Sequence, residues 1–111
     1  VTVKEIETVL SCTAVQDQYA DETVQDGYTG DLLSDVMAHA PDGSVLITIQ
    51  AHKNTVAVAA LAGIRAIVLC NNRQAPEDML EAAREEGVAV FVTETNQFNA
   101  GAAIHRALFD T

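Results

Sequence analysis

At 111 residues with a 49% apolar fraction, the chain can bury one core without metal or disulfide staples and is too hydrophobic to stay disordered. Its formal charge of -10, from 16 acidic and 6 basic residues, disfavours nonspecific attraction to DNA, RNA or an anionic membrane, and no apolar run is long enough to cross a bilayer. Aromatic residues make up 5% and Trp is absent, so the expected core is Val, Ile, Leu and Ala, side chains that allow close approach of helices to a sheet.

In chain order, Thr2 to Leu10 reads as a short helix with Val3, Ile6 and Leu10 on one face. A short edge strand is expected at Cys12 to Val15, and a weaker one at Val24 to Tyr28 after a polar stretch. Asp31 to Ala38 reads as a helix turning Leu32, Leu33 and Val36 to the core. Pro41, Asp42 and Gly43 then make a turn into a buried strand, Val45 to Ile49. Asn54 is the expected N-cap of a helix, Thr55 to Ala62, that lays Val56, Ala59 and Ala60 on the sheet and stops at Gly63. Ile64 to Cys70 is the next strand, so this unit is a parallel crossover. Pro76, Glu77 and Asp78 open a helix through Glu86 that Gly87 closes. Val88 to Val92 forms a further strand, and Gln97 to Phe109 a last helix with Ala100, Ile104 and Leu108 inward. The fold class is therefore α/β: a single domain, residues 1–111, with a mostly parallel central sheet and helices on both faces.

Before Pro41, Lys4 is the one full positive charge against eight acidic residues. This is first of all a solvated acidic surface; a basic partner or a cation is the alternative use of its field. Cys12 and Cys70 are far apart and in no metal-ligand spacing, so reduced thiols, and no metal, are expected. Lys4, Glu5 and Glu7 interrupt any leader-like run, which makes the cytoplasm the expected compartment.

The turns that follow parallel strands gather at one rim of the sheet, where open α/β sheets place ligands. This selects Gln50 to Thr55, Cys70 to Gln74 and Thr93 to Asn99. Gln50, His52 and Asn54 offer donors and acceptors beside the charge of Lys53, and the following helix start offers amides to an anion. Arg73 can clamp a phosphate or carboxylate. Each group also has a plain structural reading: Asn54 as a cap, Asn71 and Asn72 as a turn, Thr93, Thr95 and Asn96 as a strand exit and cap, Phe98 as a core or dimer contact. Asp31, Ser34 and Asp35 suit a polar ligand or a hard cation, or a helix cap. His39 and His105 lie in no ligating pattern. For an enzyme, a Cys70–His52 pair is the one nucleophile arrangement to consider; neither a G-x-S-x-G elbow nor a G-x-x-x-x-G-K-[ST] phosphate loop occurs.

The run GYTGDLLSDVMAHAPDGSVLITIQAHKNTVAVAALAGIRAIVLCNNRQAP from Gly27 to Pro76, above all DLLSDVM and ITIQAHKN, resembles a DRTGG domain, and the resemblance continues from Glu81 to Leu108. It implies a small noncatalytic α/β module for regulation or dimerisation. Such modules are attached to phosphotransacetylases or CBS-containing pyrophosphatases, or stand alone beside iron-only hydrogenase or other energy metabolism. The namesake motif is replaced here by CNNRQAP, which removes its glycines and leaves Arg73. By resemblance, Asp31, Ser34, Gln50, His52 and Asn54 are the positions of interest, joined from the residue reading by Lys53, Arg73 and Thr93. The expected partners are a second copy of the chain, an adenine nucleotide or phosphorylated metabolite, and an energy-metabolism protein; nucleic acid and membrane are not expected. Purely structural dimerisation or partner binding is the alternative, and a small Cys/His enzyme the third.

Overall fold

Side-chain alternation along the strands sorts the apolar residues into two cores, one on each face of a five-stranded sheet. The computed structural model describes residues 1–110. Its elements are α1 (Ile6–Leu10), β1 (Thr13–Gln16), β2 (Asp26–Thr29), α2 (Leu33–His39), β3 (Ser44–Thr48), α3 (Lys53–Ala62), β4 (Ala66–Leu69), α4 (Glu77–Glu86), β5 (Ala89–Val92) and α5 (Gln97–Phe109). The strand order is β1-β5-β4-β3-β2. β2 to β5 run parallel, with Val45 opposite Ala66 and Ala66 opposite Ala89, whereas β1 joins β5 antiparallel.

Val45, Ile47, Val68, Ala89 and Phe91 face α1 and α5, where they meet Val3, Ile6, Leu10, Ala100 and Ile104. Leu46, Ile67, Leu69 and Val90 face the other way, against Val36, Val56, Ala59, Met79 and Ala83 of α2, α3 and α4. Each fully buried branched or aromatic side chain contributes roughly 1.5–3 kcal/mol relative to exposure. The steps from β2 to β3, β4 and β5 advance one strand at a time with the connecting helix on the same face, so all three crossovers share one hand. The helix ends follow local chemistry: Gly63 (φ 74) and Gly87 (φ 68) close α3 and α4 in left-handed conformation.

The α/β class and most of the elements are as expected, and the differences have local causes. α1 begins only at Ile6, because Thr2 bridges Thr23 and Val3 N–H donates to Glu22 O, tying the chain start to the loop before β2. β1 runs one residue further, to Gln16, whose buried amide donates to Val88 O at 2.9 Å and Gln18 O at 3.1 Å. α2 starts at Leu33, which leaves Leu32 68% exposed and not in the core. No helix among the described residues is long and apolar enough to cross a membrane.

Candidate functional site

The carboxyl ends of β2, β3, β4 and β5 open on one rim, and backbone bonds fix the turns that leave them. Asn71 N–H donates to Thr95 O at 3.0 Å and Asn72 N–H to Thr93 O at 2.8 Å, so the exits of β4 and β5 are zipped together. Both asparagines are left-handed, at φ 57 and φ 53, a conformation that Asn tolerates better than most residues. This turn carries Arg73, whose own N–H returns to Cys70 O at 3.2 Å.

Asp31 is the hub of the rim. Its Oδ1 accepts from Ile49 N–H at 2.9 Å, the Thr48 hydroxyl at 2.9 Å and Gln97 Nε2 at 3.0 Å, while its carbonyl accepts from Gln50 Nε2 at 2.8 Å. Burial is the largest single influence on its carboxyl and pushes the pKa up. The bonds from Ile49, Thr48 and Gln97 and the charge of Arg73 together outweigh it, and the net shift is downward. Asp31 is thus held as a carboxylate whose Oδ2 accepts no hydrogen bond among the described residues. The hub joins the start of α5 on one face of the sheet to the ends of β2 and β3. Leu32 and Phe98, next in sequence to the bonded Asp31 and Gln97, are 68% and 83% exposed. Phe98 is therefore not a core contact.

The remaining candidates divide. Gln50 is committed to Asp31, and its carbonyl receives the Thr55 hydroxyl at 2.8 Å. His52, not Asn54, is the N-cap of α3: its Nδ1 accepts from Asn54 N–H at 3.0 Å, so the helix begins two residues before the expected Thr55. Lys53 and Asn54 line the groove between α3 and α4 with Glu85 and Glu86, apart from the Asp31 hub. Ser34 is exposed on α2 and its hydroxyl makes no hydrogen bond among the described residues. Asp31 does not cap α2, and it forms no shared cation cage with Asp35 among the described residues. The Asp35 carboxylate instead takes the Tyr28 hydroxyl at 2.5 Å and His39 Nδ1 at 3.1 Å; the Tyr28 bond is the largest influence and lowers its pKa, burial opposes it, and His39 adds a smaller lowering effect. Arg73 is exposed and forms no ion pair among the described residues. Thr93 is buried, and its Oγ1 accepts from Thr95 N–H at 3.2 Å.

The thiol–imidazole arrangement is not assembled. Cys70 is buried in the core on the α1 and α5 side, and burial, then Asp31, pushes its thiol up to about 11; His52 is occupied as a cap. The opposite end of the sheet holds an ion pair between Arg65 and Glu22. Thr48 and Gln97 are site residues that the sequence did not single out. Thr48 read only as part of a buried strand, and Gln97 as the first residue of a helix.

Residues 11–107 match the DRTGG domain. The chain belongs to the DRTGG domain family. Among solved structures it is similar to the CBS and DRTGG domains of the regulatory region of Clostridium perfringens pyrophosphatase, complexed with the activator diadenosine tetraphosphate. The TM-score is 0.73 at 13% identity over 93% of this chain, a likeness in fold. This DRTGG domain spans 45% of the clostridial chain. A search of the curated proteins finds no match.

Proposed function

We propose that this DRTGG domain is a noncatalytic regulatory module that senses an adenine nucleotide or another phosphorylated metabolite at the Asp31–Arg73 rim, within or alongside an enzyme of energy metabolism. One observation carries the reading. Five of the six basic residues form no ion pair among the described residues; of these, Arg73 is the one on a turn pinned by two backbone bonds at the strand exits, with its charge acting on a carboxylate that keeps one oxygen open. A guanidinium suits a phosphate, and a carboxylate acceptor suits the hydroxyls of a ribose. The clostridial regulatory region, crystallised with an adenine dinucleotide activator, makes adenine nucleotides the first ligands to try.

Isothermal titration of the folded chain with AMP, ATP, diadenosine tetraphosphate and sugar phosphates tests this reading. Saturable binding that Arg73→Ala weakens at least about tenfold, the loss of one charge-assisted contact, supports it. No saturable binding across the panel overturns it.

A second reading, docking to another copy or to a partner enzyme, is favoured by the exposure of Leu32 and Phe98 on the same rim. Exposed aromatic side chains such as Phe98 are enriched at interfaces. Light scattering of the wild type and of the Leu32→Ser, Phe98→Ser double variant separates the cases. Dimer dissociation in the variant supports docking between copies, and a monomeric wild type removes the homodimer.

A further inference from the structure

Next to Arg73 opens a cavity of about 560 Å³, between the start of β1 and the exits of β4 and β5. Its size suits a small organic ligand. Hydroxyls and amides of Ser11, Thr13, Asn72 and Gln74 line it, Glu94 is its one charged group, and Leu10, Val15 and Val92 supply an aliphatic wall. A cavity so poor in positive charge does not attract a phosphate; it suits a flat group with donors and acceptors on its edge.

Thr93 adds an observation of a different kind. It is 5% exposed and lines the cavity. Its Oγ1 accepts from Thr95 N–H, yet its own O–H donates to no protein acceptor among the described residues. That proton is available to an acceptor placed in the cavity. Asn72 N–H donates to Thr93 O, which ties the two walls together, and the next residue is Arg73.

We propose that this cavity is the subsite for the base of a nucleotide whose phosphate lies at Arg73. The inference rests on the ligand-sensing reading given above and names the class of ligand. Asn72 and Gln74 can pair with the mixed donor and acceptor edge of a purine, as side-chain amides do with adenine N6 and N7. Thr93 donates to a ring nitrogen, and Val15 and Val92 contact the ring face. Glu94 sets the selectivity: its carboxylate accepts from an exocyclic amine and repels an exocyclic carbonyl. The site therefore prefers an amino-substituted base to its oxo counterpart.

AMP and IMP differ at C6, where adenine carries an amine and hypoxanthine a carbonyl, and with it at N1, a bare acceptor in adenine and an N–H donor in hypoxanthine. Isothermal titration of the full chain with AMP, IMP and inorganic phosphate, repeated with Glu94→Gln and Gln74→Ala, tests the assignment. AMP is expected to bind roughly tenfold more tightly than IMP, in the range of one good edge contact. Glu94→Gln, an exposed position, closes most of that gap, and Gln74→Ala weakens AMP while leaving phosphate binding unchanged. If both nucleotides bind through Arg73 with equal affinity and neither variant alters the ratio, the base subsite is overturned and the sensing rim stands. If no probe binds at all, both fall.

Discussion

Replacing Asp31 by Asn probes the hub, because it keeps the shape of the side chain and removes its charge. In the wild type one carboxylate oxygen takes three hydrogen bonds, from Ile49 N–H, the Thr48 hydroxyl and Gln97 Nε2. A hydrogen bond to a charged acceptor is worth about 1.5–3 kcal/mol against about 1 for a neutral one. The Asn amide oxygen can still accept from Ile49, so that buried donor is not orphaned. Partial exposure of the site screens what remains. The expected loss at neutral pH is about 1–2 kcal/mol, which for a domain of this length lowers Tm by roughly 4–8 °C. The sign of the pH dependence follows from the downward shift of the Asp31 carboxyl. A depressed folded-state pKa stabilises above the unfolded value, and that stability is lost as pH falls through the folded one. The gap in Tm between wild type and Asp31→Asn, measured by circular dichroism from neutral pH downward, therefore shrinks below the ordinary carboxylate range. A gap that stays constant as the pH falls, or no gap at neutral pH, refutes the hub.

Three further outcomes follow from the packing. Gly63→Ala places a Cβ against the Asp42 carboxylate at φ 74; calorimetry is expected to show a loss of about 1–3 kcal/mol, whereas an unchanged Tm contradicts the strain. Gln16→Ala leaves the buried Val88 carbonyl without its side-chain donor, and chemical denaturation is expected to register about 1–3 kcal/mol, with exchange accelerated along β1. Burial, reinforced by Glu7 at Cys12 and Asp31 at Cys70, pushes both thiols up to about 11. Alkylation by iodoacetamide at mildly alkaline pH should thus be slow in the native protein and rapid after unfolding; rapid native labelling of Cys70 contradicts its burial.

The parallel layers were legible because their signals are local. Pro41 to Gly43, Gly63 and Gly87 punctuate the chain, and Val45 to Ile49 and Ile64 to Cys70 are continuous apolar runs between them. α5 was readable over its whole length from the spacing of Ala100, Ile104 and Leu108. What escaped depends on contacts distant in sequence. Asp31 reads as a cap of α2 until β3 arrives to offer Thr48 and Ile49, and Gln97 reaches it from sixty-six residues away. Leu32 looks like a core residue by spacing, but diverting Asp31 to β3 moves the helix start and leaves Leu32 outside. His52 takes the cap that Asn54 was expected to make because its Nδ1 sits two residues before the free amide. The cavity beside Arg73 was hidden for the same reason: it exists only because β1 returns to pair with β5.

A phosphorylated ligand is expected at the rim around Asp31 and Arg73. Titrating isotopically labelled protein with AMP and following backbone amide shifts tests it most directly. Saturable shifts concentrated at Ile49, Gln50, Asn71 to Gln74 and Thr93 to Gln97, and lost in Arg73→Ala, are the predicted result. Amides that do not move up to millimolar AMP, or shifts confined to the Arg65 end of the sheet, contradict the claim.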